Sequence, residues 1–160
     1  MSTSPPRPHV HHVEGRTRGT GPVLAVFTDG PTDLTVAATA AAIAAQTGTL
    51  LIAAAAVPHS GFSLNSLLHR ARSQRISQES AAIIGRVTPI LTTAGVAWAR
   101  ATFAVPLGVD PARTLPAHAI QDLINRFAAV TVVTAAAPPG PSSDRQPAPL
   151  NDHQTKLDRS

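Results

Sequence analysis

Apolar positions along this chain fall into short continuous runs separated by stretches of helical spacing. Val23 to Thr28 is the first such run, a buried strand that breaks into Asp29-Gly30. A helix is expected from Asp33 to about Gln46, apolar nearly all round, with Thr32 as its cap, Asp33 suiting the positive end of its dipole and Gly48 ending it. Thr49 to Val57 reads as a second strand, apolar without interruption, as parallel strands covered on both faces are. Pro58-His59-Ser60-Gly61 reads as a loop. Leu64, Leu67, Leu68 and Ala71, then Ile83, Val87, Ile90, Leu91 and Ala94, recur at helical spacing, and Pro89 is expected to kink or restart that long helix. Gly95 is a C-cap candidate. Val96 to Val105 alternates as a third strand, and Pro106 to Arg113 reads as a loop. Leu115 to Phe127 is the cleanest helix, with Pro116 near its start and Ile120, Leu123, Ile124 and Phe127 on one face. Ala129 to Thr134 is a fourth strand.

Strands alternating with helices predict an α/β fold: a doubly wound, mostly parallel sheet of about four strands with helices on both faces. Residues 1–21, rich in Pro, His, Gly and Arg, read as a disordered head. Residues 22–138 form the domain, and residues 139–160 a polar, disordered tail.

Composition sharpens this picture. The 160 residues include 29 alanines and no tyrosine or cysteine, so the core must gain from close helix-to-sheet approach rather than bulky anchors. Absence of cysteine excludes disulfides and thiolate metal sites. The N-terminus has no apolar segment of a secretory signal. Gln46-Thr47-Gly48-Thr49 interrupts the apolar stretch from Leu34 to Val57, which argues against a membrane span, and the reading is cytoplasmic. Net charge is +4, but Arg7, Arg16 and Arg18 lie in the head. Between Gly21 and Pro139, seven arginines face five acids, which makes no basic stripe and argues against nucleic acid.

The run Val-Phe-Thr-Asp-Gly-Pro, the strand Leu51 to Val57 before Pro58, Gly95-Val96 before the third strand, and Gly108-Val109-Asp110-Pro111 leading to Ala119-Ile120 together resemble the universal stress protein family. The resemblance spans roughly Pro22 to Thr134 and implies its Rossmann-like fold. It implies that Asp29, with Gly30 beside it, contacts adenosine, and that backbone at Val57 lies beside the base. In ATP-binding members a loop with several glycines after the fourth strand wraps the phosphates, because converging N–H groups must meet the anion. Here that place holds Thr134-Ala135-Ala136-Ala137-Pro138-Pro139-Gly140-Pro141, one glycine and three prolines, which have no N–H to offer. The acid usual at the start of the family's fourth strand is Ala129 here. The family's fourth helix and fifth strand have no counterpart, and a sheet edge left open would invite pairing with another chain.

Candidate chemistry is sparse. Asp29 reads either as a nucleoside contact or as a turn residue, and Gly30 as a turn glycine. His9, His11 and His12 have chelating spacing, but in a head with no carboxylate beyond Glu14 they read as solvated, and no metal is expected. His59 and His69 flank the expected pocket mouth, and His118 starts a helix. No nucleophile signature accompanies them, so no enzymatic activity is expected. Arg70, Arg72 and Arg75 read as a solvated helix face, and Trp98 as core or interface. Three functions follow. The first is a stress-response regulatory module without ATP or another cofactor, acting through a protein partner or a homodimer. The second is an ATP- or adenosine-binding protein keeping the Asp29, Gly30 and Val57 pocket, and the third a nucleic-acid-associated protein using the arginine-rich segments.

Overall fold

The structure, a computed structural model, describes residues 7–59, 66–106, 108, 110–111 and 113–135. Its elements are β1 (His9–His12), β2 (Val23–Phe27), α1 (Asp33–Thr47), β3 (Leu51–His59), α2 (Ser66–Ala94), β4 (Trp98–Pro106), α3 (Ala117–Phe127) and β5 (Thr131–Thr134). One sheet runs in the order β1-β5-β2-β3-β4. The pairs β2–β3, β3–β4 and β2–β5 are parallel, whereas β1 runs antiparallel to β5. The chain winds outward from β2 through β3 to β4, then returns to place β5 on the other side of β2. The doubly wound α/β architecture read from the sequence is the one observed.

Both faces are covered. Val23, Ala25 and Phe27 of β2 and Ala53, Ala55 and Val57 of β3 pack with α1 and α2 through Val36, Ala40, Ile84, Val87 and Leu91. The alternate residues, Leu24, Val26, Ile52 and Ala54, pack with α3 through Ile120, Leu123 and Ile124. Period-two alternation thus splits each central strand between two cores. The alanines explain themselves here: Ala53 to Ala56 are at most 1% exposed, and their small side chains let helices close onto a strand covered on both faces.

Several expectations need correction. The head is not wholly without structure, because His9–His12 pairs with Thr131–Thr134 as β1 and the Val13 amide donates to Val130 O at 2.8 Å. A single valine among three histidines gave no apolar period to detect. The edge beside β5, expected to lie open, is therefore covered by the chain's own N-terminal segment. Pro89 lies inside α2 without ending it. Thr32 makes no side-chain cap. Pro58 and His59 belong to β3, not to a loop: β2 ends opposite Ala55, so Pro58's missing N–H meets only open sheet on that side. Gly48 and Gly95 take the left-handed backbone expected of C-caps. The tail and the segment from 136 onward, where the phosphate loop was sought, lie outside the described residues, as do Ser60 and Gly61.

Candidate functional site

In an open α/β sheet, ligands gather at the carboxyl ends of the strands near the point where strand order reverses, because loops there diverge and leave a crevice. That point lies here between β2 and β5. Thr28 and Asp29 follow β2 directly, and with Ala56 and Pro58 of β3, Glu79, Ala82 and Ile83 of α2, and Pro111 they line a cavity of about 340 Å³. Of the predicted site residues, Asp29 is thus at the cavity. Val57 is fully buried within β3, between two residues that line it.

The turn differs from expectation in one respect. Asp29, not Gly30, adopts the left-handed backbone, with φ of 60°. Aspartate tolerates that region better than most residues, because its short side chain bonds locally. The Asp29 carboxylate accepts a hydrogen bond from the Arg86 guanidinium of α2. Both side chains are about half exposed (62% and 49%), so solvent screens the pair and its worth is about 0–1 kcal/mol.

Beneath this turn lies a second carboxylate. Asp33, 1% exposed in the first turn of α1, accepts the Thr28 amide at 3.0 Å. Burial pushes its carboxyl above the ordinary value of 3.8, against the opposing pull of the Thr28 and Asp29 amides and the Arg86 charge. The other oxygen of Asp33 and the hydroxyl of Thr28 are buried without a hydrogen-bond partner. Asp33 therefore ties the turn to the helix in place of the absent Thr32 cap.

Arg86, Glu79 and Ile83 were missed as site residues, although a signal existed. Glu79, Ile83 and Arg86 stand at i, i+4 and i+7, one helix face, and that face carries the apolar stripe packed on the sheet. Among the described residues the histidines do not assemble into a site. His9, His11 and His12 sit on β1, His12 donating to Arg16 O at 2.6 Å, and His118 is exposed on α3. Among the described residues no group of three or more His, Asp or Glu is placed to hold a metal. Arg70 and Arg75 are exposed and Arg72 half-buried. Trp98 is half-buried against the α1–α2 core. No described helix is long and apolar enough to cross a membrane.

No protein-family model and no curated protein matches the chain. Similar solved structures include a protein of the universal stress protein family from Burkholderia pseudomallei, at 17% identity and a TM-score of 0.46, covering 71% of this chain and 80% of that one. Universal stress protein UspA from Lactobacillus plantarum is 18% identical, with a TM-score of 0.47 and coverage of 71% and 73%. A universal stress protein in complex with cAMP is also 18% identical, with a TM-score of 0.47 and coverage of 71% and 75%. The likeness is one of fold.

Proposed function

We propose that this chain is a regulatory module of the universal stress protein type that holds no ATP, catalyses no reaction and acts through protein contacts. One observation carries the reading: among the described residues, the cavity at the ends of β2 and β3 is lined by two carboxylates, Asp29 and Glu79, and by no basic side chain. A triphosphate entering it would meet like charge. Arg86 offsets Asp29 but is engaged with it. The proline-containing stretch that follows Thr134 supplies few amides for an anion.

Calorimetric titration of the purified chain with ATP, beside Asp29→Ala, tests this. No binding is expected up to about 1 mM, a Kd threshold worth roughly −4 kcal/mol. Micromolar ATP binding that disappears in Asp29→Ala would overturn the reading.

A second reading keeps the pocket for an uncharged nucleoside. It is favoured by the cavity's size, within the range of small-ligand sites, and by the buried, unpartnered Thr28 hydroxyl at its wall. The exposed Asp29–Arg86 pair is weak enough for a ligand to displace. Adenosine at saturating concentration would then raise the unfolding midpoint, and an unchanged midpoint would count against it.

A further inference from the structure

A second cavity, which shares no lining residue with the Asp29 site, lies at the β4 margin of the sheet. It measures about 450 Å³ and is lined by Ser77 and Ser80 of α2, Arg100, Ala101 and Thr102 of β4, and Arg126 and Phe127 of α3. Its position follows from the topology. Among the described residues β4 is the terminal strand of the sheet, bonded to β3 on one side only, so its outward amide and carbonyl groups have no strand partner there. The flanking helices come from opposite faces, which makes the cavity a trough straddling the sheet edge.

The two faces can be told apart residue by residue. Trp98 packs into the α1–α2 core, whereas Ala99, Ala101 and Phe103 pack toward α3. Alternation therefore places Arg100 and Thr102 on the α2 face. The Ser80 and Thr102 hydroxyls hydrogen-bond at 2.6 Å and pin α2 to β4. Arg126 approaches from α3, its guanidinium 5.2 Å from the Phe127 ring centroid. Arg100 and Arg126 are exposed, and neither forms an ion pair among the described residues. One guanidinium without an ion-pair partner among the described residues thus stands on each side of the β4 edge.

We propose that the β4 edge is a docking site for an extended acidic segment of a partner protein, added as a further strand with two carboxylates reaching Arg100 and Arg126. The proposal rests on the protein-contact reading above and gives that contact a place and a chemistry. Backbone pairing supplies the affinity of such strand addition, and side-chain pockets on alternate residues supply selectivity. Because neighbouring residues of a strand point to opposite faces, the recognised segment carries its acids at adjacent positions. Guanidinium forks match carboxylates in two-point geometry, and Arg126 is held in place by stacking on Phe127.

The chain has its own reporter, since Trp98, its single tryptophan, lies on β4 two residues from Arg100. The probe is a synthetic capped peptide, Thr-Val-Thr-Glu-Glu-Val-Thr-Val, titrated into the full chain while Trp98 emission is followed. Saturable binding is expected. It should weaken about tenfold when both Glu are Gln, and by a similar factor in Arg100→Gln and in Arg126→Gln. N-methylation of alternate peptide amides should abolish it. Circular dichroism of each variant confirms that the fold is retained. No saturable change, unaltered affinity in both arginine variants, or equal binding by the Gln peptide would overturn the proposal. Inorganic phosphate or glutarate binding as tightly as the peptide would overturn strand addition. Asp29→Ala leaves this titration unchanged, so failure at β4 and an unexpected ATP site are read separately.

Discussion

Among the described residues, two that are not glycine hold left-handed backbone, Asp29 after β2 and Ala128 after α3, with φ of 60° and 53°. They carry different weight. At Asp29, which lines the cavity, the carboxylate meets Arg86. Ala128 ends α3, its amide donating to Ile124 O, and its methyl group gains nothing evident from the geometry. Glycine adopts that backbone without strain, so Ala128→Gly is expected to stabilise the chain by about 0.5–1 kcal/mol. Urea unfolding reads this as a higher midpoint at unchanged slope, and a lower midpoint would refute it. Asp33 yields a pH prediction. Burial raises its native pKa above the unfolded value, so the folded chain binds the proton more tightly. Its contribution favours folding at low pH and is lost as pH rises above about 3.8 through the native pKa. Asp33→Asn keeps an acceptor for the Thr28 amide and removes the titration. Its unfolding midpoint should therefore fall less than the wild type's as pH increases through that window; parallel profiles would refute the assignment.

Among the elements, those with long apolar periods were legible and those with short or mixed ones were not. α3 was readable because Ile120, Leu123 and Ile124 repeat at helical spacing and become its buried face. β2 and β3 were readable because continuous apolar runs have few other destinations. β1 was not, since four residues reading His-Val-His-His have no buried face, and their partner lies more than a hundred residues away. It was the register with β5 that created the strand. Gly21 shows how closely the segment after it must pass: a Cβ there would meet Val130 Cγ2 at 2.6 Å. Removing residues 1–13 should cost roughly 1–3 kcal/mol, on the scale of several lost hydrogen bonds. It should also expose the β5 edge, and light scattering after size exclusion should then show association of chains. A truncated chain that stays monomeric with an unchanged midpoint would mean that β1 does not protect that edge.

At the scale of the molecule, alternation of apolar runs and helical periods determined an α/β chain, because strands of this kind need helical crossovers and both faces covered. Asp29 was likewise legible, as an Asp-Gly break at the end of the first buried strand. What the chain order left open was adjacency. Whether β5 would lie beside β2, which segment would cover its far side, and which arginines would face which carboxylates are contacts between residues distant in sequence. Arg86 and Asp29 are 57 residues apart, and only the packing of α2 over the ends of β2 and β3 brings them together. The same holds for Arg100 and Arg126, which become neighbours across a sheet edge only once β4 is terminal and α3 folds beneath it. Periodicity is local and survives in one dimension. Charge pairing, edge exposure and cavity shape arise from the third, and tertiary structure alone decided them.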